Sequence, residues 1–469
     1  MKTRISLLFV LLLTTLSYSQ DKPVAAEVVI TPYKTTLIAD GKDSAVFGIS
    51  IVDKAGTIVP DAENLVAFYI TGDAKIISSQ TDRPFDESPE RSSDGIWKIR
   101  LYNGRCTLVV QSGTTPDMVH FEARSTGLHT GSTDIITVSP QKNALITLDK
   151  TYALNGEAAL PRPIDKMLGA DISFLPELEA KGVVFSDNGI EKDAIQILKD
   201  HGFNYIRLRI FNQPANEKGY SPKKGFCDLE HTKKMAKRVK AAGMKLLLDF
   251  HYSDTWADPG KQFKPKAWEG KSFKELKKAL YQYTENVIQE LKDQGTTPDM
   301  VQIGNEINHG IVWPEGNVNN PDGMAQLYNA GTAAVKKVDP TIPIMLHVAL
   351  GGQHLESVSF IDGMLSRGAH FDVIGQSYYP KWHGTIDDLQ KNLNMLARRY
   401  NKDIIIVEYS QLKEEVNHIA FEIVDGHGKG SCIWEPLNTW EAVFEKDGSS
   451  NKWLGVYDKI SKRFMVQQK

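Results

Sequence analysis

The stretch 228-DLEHTKKMAKRVKAAGMKLLLDF-250 decides the fold. Its first part, through Gly243, carries a helical pattern that stops at a glycine, the expected C-terminal stop. The rest, 244-MKLLLDF-250, is a short apolar strand, and the helix-to-strand alternation repeats on both sides of it. Further strand candidates are 166-KMLGADIS-173, 204-NYIRLRI-210, 299-DMVQIG-304, 342-IPIMLHV-348, 371-FDVIGQS-377, 403-DIIIVEYS-410 and 431-SCIWEP-436. Between them the segments 190–202, 273–295, 321–338, 354–368, 386–400 and 411–426 read as helices. Eight apolar strands, each buried on both faces and separated by helices, predict an α/β fold: a (β/α)8 TIM barrel over residues 164–469. A doubly wound sheet would carry a glycine-rich phosphate loop after its first strand, and this chain has none. GHGKGS at 426–431 has the wrong spacing for such a loop and enters a strand rather than leaving one.

Upstream of the barrel the texture is different. Residues 21–140 hold AEVVITP, SAVFGISIVD, ENLVAFYIT, GIWKIRLYNG, RCTLVVQSG and MVHFEARS, with DGKD, DKAG and SSDG as turns. This predicts a smaller, all-β, antiparallel immunoglobulin-like sandwich. It resembles the modules attached to exported bacterial carbohydrate-active enzymes, and a packing or spacer role is expected of it. Residues 141–163, ending in Leu160-Pro161-Arg162-Pro163, form a connector.

Residues 1–20 read as a signal peptide. Lys2 and Arg4 precede an apolar run that reaches Leu16, and small residues stand at Ser17 and Ser19. The run falls short of the roughly 20 apolar residues that span a bilayer, so export without stable membrane insertion is expected. Secreted, periplasmic and cell-surface locations all fit. The formal net charge of −3, with 24% charged residues, gives no basic field for nucleic acid. The three cysteines have no short spacing that would make a zinc site or a disulfide framework.

Active sites of such barrels lie at the C-terminal ends of the strands. The strands deliver Asp171 (first), Arg207 and Arg209 (second), and Asp249 and His251 with Tyr252, Asp254 and Trp256 (third). The fourth brings Asn305 and Glu306, the fifth His347, and the sixth Gln376, Tyr378 and Tyr379. The seventh ends at Glu408 and the eighth at Trp434 and Glu435. Glu306 and Glu408 stand out, because two carboxyls facing each other across a barrel mouth can cleave a glycosidic bond. One protonates the departing oxygen; the other attacks the anomeric carbon. A retaining mechanism calls for a separation of roughly 5–5.5 Å. The competing structural reading makes both glutamates strand-end partners of Arg207 or Arg209. Asn308 and His309, just past Glu306, read as loop structure. Trp256, Trp268, Trp313, Trp382, Trp434 and Trp440 fall in barrel loops or at the eighth strand, where exposed rings stack on sugars or cap the barrel. The 253–270 loop is expected to wall the groove.

GADISFLPELEAKG (169–182), NYIRLRIFNQP (204–214), LLLDFHYSDTWADPGKQFKPKAW (246–268), VQIGNEINHGIVWPEG (301–316) and IGQSYYPKWHG (374–384) resemble glycoside hydrolase family 53, the endo-β-1,4-galactanases of clan A. The resemblance covers about residues 166–440. It implies Glu306 as acid/base, Glu408 as nucleophile, and Arg207, His251, Asn305, Tyr378 and Trp434 around the sugar under attack. Tyr378 is expected to donate to Glu408, and Asp254, Trp256, Trp313 and Trp382 are added as substrate contacts. The implied activity is retaining hydrolysis of internal β-1,4 bonds in galactan or arabinogalactan by an exported monomer, without cofactor or metal. Many bacterial relatives carry a calcium site between strands seven and eight; here Gln411 to Lys429 leave no room for it. Three alternatives remain open: another clan A endo-β-1,4-glycanase acting, for example, on mannan; a non-catalytic glycan-binding protein; and a metal hydrolase built on His251, Asp249, Asp254 and His347.

Overall fold

Eight parallel strands close into a barrel because each carries apolar side chains on both faces, one set for the barrel interior and one for the surrounding helices. The computed structural model describes residues 23–81, 90–91, 96–139, 161–439 and 441–465. The expected signal peptide, most of the connector and Trp440 lie outside the described residues. The barrel strands are β1 (Met167–Asp171), β2 (Tyr205–Ile210), β3 (Lys245–Phe250), β4 (Met300–Ile303), β5 (Ile344–Val348), β6 (Val373–Tyr378), β7 (Asp403–Tyr409) and β8 (Gly428–Trp434). All eight expected strands are present, and β8 begins three residues earlier than expected, inside GHGKGS.

In β2 the alternation is plain. Tyr205 joins an inner cluster with Met167, Leu247, Met300, Met345, Val373, Ile405 and Cys432. Ile206, Leu208 and Ile210 pack outward against the helices. Arg207 and Arg209 share Tyr205's inward parity, so two guanidiniums rise in the barrel above an apolar floor. The helix Leu229–Ala241 starts at Asp228, whose carboxylate accepts from the His231 N–H, and buries Met235, Ala236 and Val239. Phe273–Asp293 begins with a reciprocal Ser272–Glu275 capping box. Between β7 and β8 lie the helix Lys413–Glu422 and a short turn, Val424–Gly426.

The N-terminal domain is a two-sheet sandwich. One sheet orders Glu27–Pro32, Ser44–Val52, Arg105–Ser112 and Ala74–Gln80; the other runs Thr36–Ile38, Gly131–Val138, Met118–Arg124, Leu65–Thr71, Trp97–Arg100 and Glu90–Arg91. Phe47 stacks on Phe121 across the core, with ring centroids 4.9 Å apart. The expected all-antiparallel pairing needs one correction: Thr36–Ile38 runs parallel to Ile136–Val138. Gly131–Val138 was also not among the expected strands, because Ile136 and Val138 point to solvent and blur its pattern. The sandwich packs on the barrel helix His354–Leu365, where the Ser44 and Ser359 hydroxyls stand 3.4 Å apart. A cleft of about 1310 Å³ lies at this junction, lined from both domains by residues including Tyr33, Lys34, His309 and Glu356. Among the described residues no helix is long and apolar enough to cross a membrane.

The glycines of GHGKGS serve the barrel seam. Gly430 has φ +103, and a Cβ there would stand 2.0 Å from the Met167 carbonyl oxygen on β1. Gly430→Ala should therefore strain the β8–β1 junction and cost about 2 kcal/mol or more of barrel stability. A lowered midpoint of barrel unfolding in urea checks this, and an unchanged midpoint refutes it.

Candidate active site

Inward parity at the tops of the strands brings Asp171, Arg207, Asp249, His347 and Ser377 into one polar layer. Glu408 would not join them by parity alone, since Ile405 and Val407 already point inward. A bulge brings it in. Gly375 pairs with Ile405 but Ser377 pairs with Glu408, so two steps on β6 match three on β7. The extra residue turns the Glu408 carboxyl into the barrel, as bulges near functional sites often do.

Arg207 is the hub of the layer. Its Nη1 donates to Asp171 Oδ2 at 3.1 Å and to Glu408 Oε2 at 3.0 Å. Its Nη2 donates to Asp249 Oδ2 and to Asn305 Oδ1, both at 2.9 Å. Burial would lower its pKa, but Asp249, Glu408 and Asp171 more than offset that, so the guanidinium stays charged. Burial likewise works against the Asp249 anion, yet Arg207 and His251 hold that carboxyl below its usual range. Gln302 completes the group, donating to Asp249 Oδ1 at 2.6 Å.

Two residues after Gly304 (φ +81), Glu306 adopts φ 48 and ψ 53, a left-handed conformation uncommon for glutamate. This turn ends β4 and leaves the Glu306 carboxyl buried across from Glu408. The Glu306 N–H donates to His347 Nδ1 at 3.2 Å. Gln302 Nε2 at 3.0 Å and Asn305 Oδ1 at 3.1 Å approach the same nitrogen; with two donors against one acceptor there, the imidazole proton is assigned to Nε2, which faces Ser377 Oγ at 2.8 Å. The Ser377 hydroxyl also lies beside the Glu306 carboxyl and favours its charged form, against the larger effect of burial. Burial, then Arg207, push the His347 pKa well down, so the ring is neutral.

The two glutamates differ in their partners. Burial first, then the Glu408 charge, push the Glu306 pKa up to about 8. Burial also raises the Glu408 pKa, but Arg207 and the Tyr379 hydroxyl, which donates to Oε1 at 2.8 Å, oppose it. Donors from a guanidinium and a phenol favour the carboxylate form, so the pair holds one proton, on Glu306, and one negative charge, on Glu408.

The structure places the other expected residues as follows. Tyr378 is a correction: it is fully buried on the outer face of β6, its hydroxyl donating to the Gly384 carbonyl at 3.2 Å. Tyr379 shares the parity of Val373, Gly375 and Ser377 and is the residue that reaches Glu408. Asp254 is a second correction. Its buried carboxylate accepts from the Gln213 N–H, Asn216 Nδ2 and the Lys266 N–H, so it braces loops rather than facing the cleft. His251 accepts the Ala257 N–H at Nδ1, 3.1 Å away, and faces Asp249 Oδ2 with Nε2 at 3.1 Å. Both its nitrogens are thereby committed to the protein. Asn305 donates one amide hydrogen to the Ala257 carbonyl at 2.9 Å, and no further acceptor for its amide is found among the described residues.

The tryptophans divide. Trp268 is buried in the shell between barrel and helices. Trp256 and Trp434 lie 6.3 Å apart in an aromatic group with Phe174. Phe174 and Trp256 each lie about 4.5 Å from the Arg209 guanidinium carbon (4.5 and 4.4 Å), and Arg209 also pairs with buried Glu435 at 2.5 Å. Trp313 donates its indole N–H to the His309 carbonyl, and its own N–H bonds Gln262, tying the 253–270 loop to the loop after β4. Trp382 is 52% exposed and meets Tyr379 edge-on at 6.1 Å, which sets an open ring beside the catalytic-type pair. Gln302 and Ser377 are not among the residues named from sequence; Asp171 and Tyr379 are named there at strand ends without a role, and Asp249 and His347 have a role only as ligands in the metal alternative. Alternation along β6 favours Tyr379 over Tyr378. Among the described residues no group of three or more His, Cys, Asp or Glu is arranged to hold a metal ion. His251, Asp249, Asp254 and His347 are spent on protein partners.

Residues 167–450 match the model of the family described as glycosyl hydrolase family 53. Residues 28–134 match that of glycoside hydrolase family 2 C-terminal domain 5. Over 251 residues the chain is 48% identical to a Niallia circulans protein described as an uncharacterized protein in the bgaB 5' region, covering 52% of this chain and 66% of that one. It is 38% identical over 270 residues to the endo-beta-1,4-galactanase of Bacillus subtilis (strain 168), covering 56% of this chain and 59% of that one. The chain thus spans about two thirds or less of these two relatives. The solved Ignisphaera aggregans GH53 catalytic domain is similar at TM-score 0.59 and 35% identity, covering 63% of this chain and 96% of that one.

The tyrosine assignment can be tested directly. Tyr379→Phe removes a donor to the Glu408 carboxylate and should raise its titration midpoint by on the order of one pH unit, read by NMR of labelled glutamate. Tyr378→Phe should leave it unmoved, and the opposite pattern would restore Tyr378.

Proposed function

The chain belongs to glycosyl hydrolase family 53, and from that premise we propose that it is an exported, retaining endo-β-1,4-galactanase. Its substrates are then internal β-1,4-galactosidic bonds of galactan or arabinogalactan, and it acts as a monomer. The observation that carries this reading is the unequal pair of carboxyls, Glu306 protonated and Glu408 held as an anion by Arg207 and Tyr379. Glu306 gives its proton to the glycosidic oxygen while Glu408 attacks the anomeric carbon and forms an ester. The ester carries no charge, so the repulsion that helped raise the Glu306 pKa disappears. Glu306 then takes a proton from the incoming water, which displaces Glu408 and restores the starting state. Arg207 keeps its ties to Asp171 and Asp249 throughout, so no guanidinium is left unpaired in the ester.

Substrate binding follows from the same geometry. The free amide hydrogen of Asn305 is available to a sugar hydroxyl. Trp382 and Trp434 offer ring faces to the apolar sides of galactose units. The name of the Bacillus subtilis relative supports galactan over mannan or xylan. Export rests on the leader MKTRISLLFVLLLTTLSYSQ, and N-terminal sequencing of secreted protein beginning near Gln20 would support it.

The test is hydrolysis of linear β-1,4-galactan against mannan and xylan, with product anomers followed by NMR. Selective galactan cleavage with retention is expected, and no galactan cleavage overturns the reading. In azide, Glu408→Ala should give the inverted glycosyl azide and Glu306→Ala the retained one. The pH profile has a worked sign. Activity needs Glu306 protonated, so kcat/KM should fall as pH rises through about 8. It should also fall at low pH as Glu408 gains a proton. A profile without the basic limb would remove Glu306 as the proton donor.

A further inference from the structure

Glu306 holds a left-handed backbone conformation, which for a residue with a Cβ costs about 1–2 kcal/mol and persists only where the surroundings over-determine it. The next three residues, Ile307–His309, form a single 3-10 turn. Side chains from this turn converge on one buried carboxylate outside the barrel. Asn308 Nδ2 donates to Glu356 Oε1 at 2.7 Å, and His309 Nε2 stands 3.0 Å from the same oxygen. Asn308 also accepts the Ala349 N–H at 3.1 Å, which ties the turn to the end of β5.

Glu356 sits in the first turn of the helix His354–Leu365, which underlies the sandwich, and its side chain is 7% exposed. His309 has an acceptor at each nitrogen, since Nδ1 lies 3.1 Å from the Pro259 carbonyl oxygen. Only the doubly protonated ring can donate to both, and its pKa is raised by Glu356 and Pro259 although burial works against it. The imidazolium therefore bridges Glu356 to the 253–270 loop. That loop returns to the site, because Gln262 Nε2 donates to the Asn305 carbonyl at 2.8 Å and the Ala257 carbonyl accepts from the Asn305 side chain. The backbone on both sides of Glu306 is thus fixed through contacts that trace back to one carboxylate.

We propose that Glu356 is a positioning residue for the proton donor, holding Glu306 in its strained turn through Asn308 and His309. This rests on the proposed retaining glycosidase reading. Glu356 touches no reacting atom; removing its charge frees the turn and lets the Glu306 carboxyl move off the line of the departing oxygen.

The test compares leaving groups. A galacto-oligosaccharide leaves as an alcohol and needs the proton from Glu306, whereas 2,4-dinitrophenolate in a dinitrophenyl β-galactobioside leaves without one. Glu356→Gln keeps an acceptor for Asn308 but removes the charge that faces His309. His309→Ala, at a partly exposed position, cuts the same tie from the other side. Both variants should lower kcat/KM for the oligosaccharide by on the order of 10- to 100-fold while leaving kcat/KM for the dinitrophenyl substrate within a few-fold of wild type. Glu306→Gln should show the same signature more strongly. Equal losses on both substrates, or no loss on either, overturn the positioning role. Failure of the unaltered enzyme on both substrates would instead overturn the glycosidase reading itself.

Discussion

One guanidinium sets the terms for everything above the apolar floor of this barrel. Arg207 is almost wholly removed from solvent and reaches Asp171, Asp249, Asn305 and Glu408 with two nitrogens. A buried cation is tolerated only when its partners compensate for lost hydration, and breaking such a pair from one side costs about 3–5 kcal/mol. The four partners come from the ends of β1, β3, β4 and β7, so the charge that must be satisfied also fixes the relative heights of four strands. Closure of the barrel and the setting of the site are therefore one constraint.

That constraint also creates the inequality between the two glutamates. Glu408 is drawn into the cationic group and receives a phenolic donor from Tyr379. Glu306 lies outside it, buried, with a serine hydroxyl and a neutral imidazole for neighbours. Burial penalises both anions, and only one is given a cation in contact. Two identical side chains thereby take opposite protonation states from position alone.

The site is held from outside as well as from within. Trp313 and Gln262 link the loops after β3 and β4, and Glu356 links the loop after β4 to a helix on the sandwich side. The sandwich packs against that helix, so the N-terminal domain borders the bracing of the Glu306 turn. Its cleft with the barrel is lined by Asn308, His309 and Glu356 but by neither Glu306 nor Glu408.

The order of strands and helices was legible from residues 164 onward because hydrophobic runs, helical spacing and glycine stops are local properties. The candidates Glu306, Glu408, Arg207 and Asn305 were legible too, since a barrel presents strand ends at one mouth. Three features were not. The strands are apolar on both faces, so nothing in VIGQSYY says which parity points inward, and Tyr378 was preferred to Tyr379. The bulge that turns Glu408 into the barrel is an offset of β7 against β6 and β8, and an offset between strands leaves no trace in one strand's composition. The αL turn at Glu306 and its tie to Glu356, fifty residues later, depend on which groups meet after folding. The sequence by itself determined the architecture and the pool of chemical groups. The tertiary structure alone decided which of them share a charge, because electrostatics in a buried site acts over distances in space that local spacing does not encode.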